Sequence, residues 1–372
     1  MGLEPNARAG LIAVVVGMQV FIIQPGFLAG LAGPLGLTEA WIGYIASAEM
    51  AGIALTTIGA ALLGGRLRPR ATALGAFLTL ALADMGSILA TTPPLFLTIR
   101  FIAGAAAGLL ISIGYTELGR SQHPDRGFGY AIMAMLSYSA LGLFLLPTAF
   151  QHIGVGGVLA ALGLMALAAV PLARSLPTDG HRREAAKVSH VTAASRWILV
   201  AILAFFLGQG VVWPFLSLIG STHGISDQQV ANGLAVSQLA GILGAFAAAR
   251  FGAPRNHLRL LVAGALGSAV PLVVLVWPVS GLGYAAAMFA FNGAANIATP
   301  LLMAIAAAID GEGALVQRSA ALQMIGLASG PLLATPFLEG GDFQAALWLS
   351  AGLFLLAFVA GTRTLSRRVA LT

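Results

Sequence analysis

The sequence predicts an all-α integral membrane protein: twelve transmembrane helices in two pseudo-symmetric six-helix bundles, with N- and C-termini cytoplasmic. Three observations carry this. The first is composition. Of 372 residues 58% are hydrophobic and only 9% charged, with a mean hydropathy of +0.92. A soluble domain carries about 25% charged residues, so this chain cannot clothe a water-facing surface. The second is the one-sided placement of Lys and Arg between apolar runs. The third is an internal repeat that relates the two halves. The chain has no cysteine, which excludes disulfides, thiolate metal sites and cysteine catalysis.

A helix crossing a bilayer needs about 20 mostly apolar residues. Cutting at charged and Gly/Pro clusters gives spans at 10–33, 41–63, 71–91, 95–118, 127–149, 154–174, 197–219, 228–249, 258–278, 282–308, 317–337 and 343–363. The runs are continuous, without the alternation of a barrel strand, so the spans are helices. Span 1 follows a short tail carrying Arg8. It contains Gln19, Gln24 and Pro25 and leads straight into further spans, so it reads as a transmembrane helix and not as a cleaved signal. Span 2 is opened by Gly36-Leu37-Thr38-Glu39, with Thr38 as N-cap, and closes in the basic turn Arg66 to Arg70. Span 3 carries Asp84. Span 4 carries Arg100 followed by Gly104 and Gly108, a spacing that lets two helix backbones come close. After span 6 comes the longest hydrophilic stretch, 175–196, with Pro177, Asp179, His181, Arg182, Arg183 and Lys187. It separates an N-terminal bundle (1–174) from a C-terminal one (197–372).

The second half repeats the first. Gly224-Ile225-Ser226-Asp227 opens span 8 as Gly36 to Glu39 opens span 2, and Arg250 to Arg255 closes it as Arg66 to Arg70 closes span 2. With a one-residue insertion, Glu49 to Gly52 falls on Gln238 to Gly241. Parallel repeats of this kind place a binding site at mid-membrane between the halves. Orientation follows from charge. With the N-terminus inside, every one of the 19 Lys and Arg except Arg100 falls in a cytoplasmic loop or tail, as expected of short cytoplasmic loops. The outer loops hold only Glu39, Asp227, Glu339, Asp342 and histidines. The basic loops thus report topology and not nucleic-acid binding.

These features together resemble the major facilitator superfamily of secondary transporters over the whole chain. Arg100 to Gly108 is similar to that family's helix-4 motif, an arginine followed by spaced glycines. The turn after span 2 resembles the family's loop motif in part: Arg66 and Arg70 match its basic positions, and Gly65 stands where an aspartate is expected. A Gly-Pro antiporter signature is not clear in span 5, where Gly142 and Pro147 are separated; a Gly330-Pro331 pair occurs in span 11. The resemblance implies that spans 1, 4, 7 and 10 line a transport cavity and that span 3 lies away from it. Each lining span has a polar stripe: Gln19 and Gln24; Ser112 and Tyr115; Gln209, Trp213 and Ser217; Asn292, Asn296 and Thr299. Residues at such spacings share a helix face. For any single one of them interhelical hydrogen bonding is the better explanation; for the set it is the weaker one, because the stripes fall on the spans that the resemblance places at the cavity.

Three ionisable side chains stand inside spans. By helical rise, Glu49, Asp84 and Arg100 lie ~12, ~10 and ~8 Å below the outer ends of spans 2, 3 and 4. An intramembrane charge is read as functional by default. One arginine facing two carboxylates leaves a net negative charge that one proton removes. Glu49 is therefore the candidate proton carrier with Asp84 as helper. A structural pairing with Arg100 competes with that reading for Glu49, and a counter-ion role in packing competes with it, more strongly, for Asp84, whose span the resemblance places away from the path. Arg100 is a candidate for a substrate carboxylate, alongside Gln24, Tyr115, Gln209, Trp213, Asn292 and Asn296. Gly104, Gly108, Arg66 and Arg70 are candidates for helix packing and conformational change. Glu117 is expected to be a solvated residue at the cytoplasmic end of span 4. Spans 7–12 have no charge in their cores, which points to recognition by shape and neutral hydrogen bonds.

The histidines lie in loops or at helix ends without metal-ligand spacing, so no metal site is expected, and no Gly-x-x-x-x-Gly-Lys loop is present. No nucleophile–base pair stands inside the spans, which disfavours an enzyme. The expected function is proton-coupled symport of a small organic solute, an organic anion being one candidate, by a monomer in the cell inner membrane. The proton is the coupling ion and no other cofactor is expected. Proton-driven efflux of amphiphilic compounds is the alternative; a channel or a lipid-handling protein ranks lower.

Overall fold

A computed structural model describes residues 4–63, 66–179, 192–309, 314–338 and 341–369. Several residues discussed above lie outside the described residues: Gly65, His181, Arg182, Arg183, Lys187 and Glu339. Regular structure among the described residues is entirely helical. The chain divides into two compact units, Met1–Ala185 and Ala186–Thr372.

The first unit begins with α1 (Pro5–Gly17) and α2 (Gln24–Ala32), separated by a turn and a 3₁₀ segment, Phe21–Ile23. The two helices are bent by 46°. Pro25 explains the break, because it cannot supply the N–H that would continue the helix. Then follow α3 (Glu39–Leu62), α4 (Pro69–Gly86), α5 (Pro93–Arg120) and α6 (Pro124–Ala169). Thr38 caps α3 through its Oγ1, which accepts from the Trp41 N–H at 3.4 Å. The expected spans 5 and 6 form one hydrogen-bonded run, apolar from Arg126 to Ser175 over 50 residues. Gly154, at φ +65° and ψ −177°, puts a corner inside it. A straight helix of that length would measure ~75 Å, well over twice the ~30 Å hydrocarbon core.

The second unit contains α7 (Ala193–Val212), α8 (Leu216–Thr222), α9 (Asp227–Phe251), α10 (His257–Val274), α11 (Gly281–Ala307), α12 (Ala314–Ala334) and α13 (Gln344–Val369). Ser226 caps α9 as Thr38 caps α3, accepting from the Gln229 N–H at 3.4 Å. A 3₁₀ segment at Trp213–Phe215, holding Pro214, separates α7 from α8. Each unit thus opens on a span interrupted at a proline. In each a hydroxyl from a neighbouring helix donates to a carbonyl at the interruption: Ser139 to Ile22 at 2.7 Å and Tyr284 to Leu216 at 2.8 Å.

Ten helices of the described chain are long and apolar enough to cross a membrane, with the α1–α2 pair as a further bent candidate. In the first unit α5 is the hub: α1, α3 and α4 all pack on it. In the second, α9 packs on α11, while α7 packs on α12 and α13.

Candidate functional site

The α3–α5 contact is backbone against backbone. A Cβ on Gly104 would run into the Glu49 carbonyl, one on Gly52 into the Phe101 carbonyl, and one on Gly108 into Thr56 Oγ1 and the Ile53 carbonyl. The Thr57 hydroxyl donates to the Gly108 carbonyl across the seam at 3.3 Å. Glycine is needed here for proximity, and the proximity brings Glu49 of α3 to the side chain of Arg100 on α5.

Arg100 Nη2 donates to Glu49 Oε1 and Nη1 to Asp84 Oδ1, each at 2.6 Å. Arg100 and Asp84 are 0% exposed and Glu49 3%. Gln19, in the turn between α1 and α2, donates its Nε2–H to the other oxygen of Asp84 at 2.7 Å. The ring of Phe27 on α2 lies 5.6 Å from Arg100 Cζ, a cation–π distance. The helices α2, α3 and α4 and the turn between α1 and α2 thus each supply a side chain to Arg100 or to its partners. With both acids ionised the cluster carries one net negative charge. A buried charge without compensation is costly, and one proton neutralises the cluster. Hydrogen-bonding capacity remains: buried Glu49 Oε2, Arg100 Nε, Gln19 Oε1 and Gln24 Nε2 have no hydrogen-bond partner among the described residues.

The other residues singled out in the sequence fall elsewhere. Tyr115 is on α5, but fifteen residues, or ~22 Å of helix, beyond Arg100; its ring stacks on Phe128 with centroids 6.0 Å apart. Gln24 opens α2 and is buried. Arg70 ties the turn after α3 to the end of the first unit, its Nε donating to the Leu176 carbonyl at 3.0 Å. Arg66 is exposed. In the second unit, Gln209 is half-buried one turn ahead of Trp213, which stands at the α7–α8 interruption. Asn292 donates to Ser237 Oγ of α9 at 3.2 Å, and Asn296 donates to Asn292 Oδ1 at 2.9 Å. These asparagines form a neutral network on the α9–α11 contact. Gly330, of the Gly330-Pro331 pair, abuts Gly210 of α7.

Glu117 requires a correction. It is 1% exposed, not solvated. Gly10 of α1 lies against it, where a Cβ would come within 3.0 Å of the Glu117 Cβ. The small residue lets α1 approach α5 closely enough to cover a side chain that helix position alone places at the water. Gln19 was legible as a polar residue in a span, but its bond to Asp84 was not, because a helical wheel does not anticipate the break at Pro25. Phe27 gave no signal among so many apolar residues.

A family model described as "Major Facilitator Superfamily" matches residues 9–324. Among curated protein sequences none matches significantly. Among solved structures, the nucleoside transporter NupG is similar with a TM-score of 0.76 at 11% identity, covering 98% of this chain and 100% of that one. A D-xylose-proton symporter is similar with a TM-score of 0.74 at 15% identity, covering 95% of each chain. At these identities the likeness is one of fold.

Proposed function

The chain belongs to the major facilitator superfamily, and on that premise we propose that it is a proton-coupled symporter moving a small organic solute across the inner membrane by alternating access. Membership makes it a transporter and not an enzyme. The observation that carries the coupling is the buried cluster of Arg100 with Glu49 and Asp84. Two carboxylates on one guanidinium hold one charge too many for a dry site, and a proton is the smallest ion that removes it. Glu49 is the proton carrier and Asp84 its helper. Protonation of Glu49 releases Arg100 Nη2 for the solute; where the solute is an organic anion, a second proton on Asp84 keeps the site neutral, so protons and anion enter together. Gln24 in the first unit, and Gln209, Trp213, Asn292 and Asn296 in the second, are the further solute contacts of this reading along the transport path; Tyr115, ~22 Å of helix beyond Arg100, meets the solute at a different depth.

The twelve-span organisation belongs to the same proposal. Counting the bent α1–α2 pair as one crossing, and the run broken at Gly154 as two, brings the apolar helices to twelve. The distribution of Lys and Arg then puts both termini in the cytoplasm. The protein acts as a monomer, with the proton as coupling ion and no further cofactor.

The test is uptake into proteoliposomes by the purified protein under an imposed pH gradient, acid outside, across a panel of small organic acids, sugars and amines. Symport gives accumulation that a protonophore abolishes; proton-driven efflux gives the opposite sign. Glu49→Gln is expected to abolish gradient-driven accumulation. Accumulation that persists in Glu49→Gln would refute the assignment of the proton to that residue.

A further inference from the structure

We propose that Gln19 is a positioning residue that ties the bend of the first span to the charge on Asp84. This rests on the reading that the Glu49–Arg100–Asp84 cluster takes up protons, on Glu49 as carrier and on Asp84 as helper. It assigns the conformational consequence of protonation to Asp84, the acid on a helix expected to lie away from the transport path.

The position of Gln19 is the first reason. Residues 18–20 form a turn and not a helix. The Gln19 backbone N–H is held by a single bond to the Val16 carbonyl at 3.3 Å. A side chain rooted in such a turn transmits its movement to the backbone more readily than one inside a regular helix. The second reason is that both sides of the break are anchored in the cluster. Gln19 holds Asp84 ahead of the 3₁₀ segment, and Phe27 lies on Arg100 beyond it.

The third reason is the chemistry of the amide. The groups facing Asp84 are Arg100 of α5, Glu49 of α3, Gln19, and Tyr138 of α6, which is near enough to feel the charge. Arg100 Nη1 occupies Oδ1, so Oδ2 is the oxygen open to a proton. When ionised, Oδ2 accepts from Gln19 Nε2. A proton from the aqueous phase on Oδ2 turns that oxygen into a donor, and two donors then face each other. Gln19 Oε1, buried and without a hydrogen-bond partner among the described residues, is the acceptor the new O–H needs. The amide must turn to present it. Only an O–H bond forms at Asp84, and one hydrogen bond replaces another. Glutamine can serve both states because it carries a donor and an acceptor on one flat group.

The test uses the full chain, which has no native cysteine. Arg8 and Gly33, both exposed at opposite ends of the α1–α2 pair, are replaced by Arg8→Cys and Gly33→Cys and spin-labelled. The distance between labels is measured by pulsed electron paramagnetic resonance at fixed pH. Asp84→Asn, which mimics the neutral acid, is expected to shift the distance. Gln19→Met, of similar volume without hydrogen bonds, is expected to abolish that shift. The swap Gln19→Glu with Asp84→Asn, which restores an amide-to-carboxylate bond, is expected to return the original distance. An equal shift in the Gln19→Met background, or no shift with Asp84→Asn, overturns the proposal. Transport is measured separately, so proton-driven accumulation that persists in Glu49→Gln, with the distance shift intact, refutes the coupling reading and leaves this link standing.

Discussion

Arg100 is among the largest fully buried side chains of the described residues. Its stability depends on two partners. Removing one member of a buried ion pair strands the other, at a cost of about 3–5 kcal/mol. Arg100→Ala is therefore expected to lower the thermal unfolding midpoint in detergent sharply, because it strands both Glu49 and Asp84. Adding Glu49→Gln and Asp84→Asn is expected to recover much of the loss, since neutral groups no longer need the guanidinium. A triple variant as unstable as Arg100→Ala would show that the arginine acts through packing alone. At this scale the sequence revealed the three ionisable residues and their similar depth. It did not reveal the hydrogen bonds, because depth along a helix says nothing about the direction in which a side chain faces. Glu117 shows the same limit from the other side: its place near a helix end suggested water, and Gly10 on a different helix covers it.

The elements meet at glycine seams, and their cost is testable by size. At Gly104 a β-carbon has no room against the Glu49 carbonyl. Gly104→Val is expected to force α3 from α5, costing at least about 1–3 kcal/mol as overpacking does, and to disturb the ion cluster on the same two helices. Gly75, on α4, has nothing within 4 Å of an added β-carbon. There Gly75→Ala is expected to raise stability by roughly 0.5–1 kcal/mol through helix propensity. Thermal midpoints of the two variants, measured in the same detergent, check the contrast. The four-residue glycine spacing was readable in the sequence and signalled a close-packed seam. Which helix fills the seam was not readable, since α1 also has glycines and also packs on α5. The interruption at Pro25 was visible as a proline, and the break it makes places Gln19 on Asp84.

For the whole molecule, the proposed orientation follows from the distribution of Lys and Arg, and the absence of cysteine makes it easy to check. Thr91 lies in the loop between α4 and α5, and Arg255 in the turn between α9 and α10. In intact cells a membrane-impermeant maleimide is expected to label Thr91→Cys, and to label Arg255→Cys only after permeabilisation. The reverse pattern would invert the topology and, with it, the direction assigned to proton movement. The two units also divide the chemistry. The first buries an arginine with two acids. The second joins α9 and α11 through Ser237, Asn292 and Asn296 without a charge.

By itself the sequence determined that the chain is a helical membrane protein, where most of its helices lie, and that charged residues inside spans stand in the first half. These follow from local physics: a bilayer demands apolar runs of fixed length, and loops on one side collect basic residues. Only the tertiary structure decided that Arg100 holds both acids at once, that Gln19 reaches Asp84 from a broken helix, and that Asn292 bonds to its neighbouring helix. Those contacts join residues 16 to 65 positions apart. They depend on which faces the glycines allow to meet, and a helix face becomes specific only when its partner is in place.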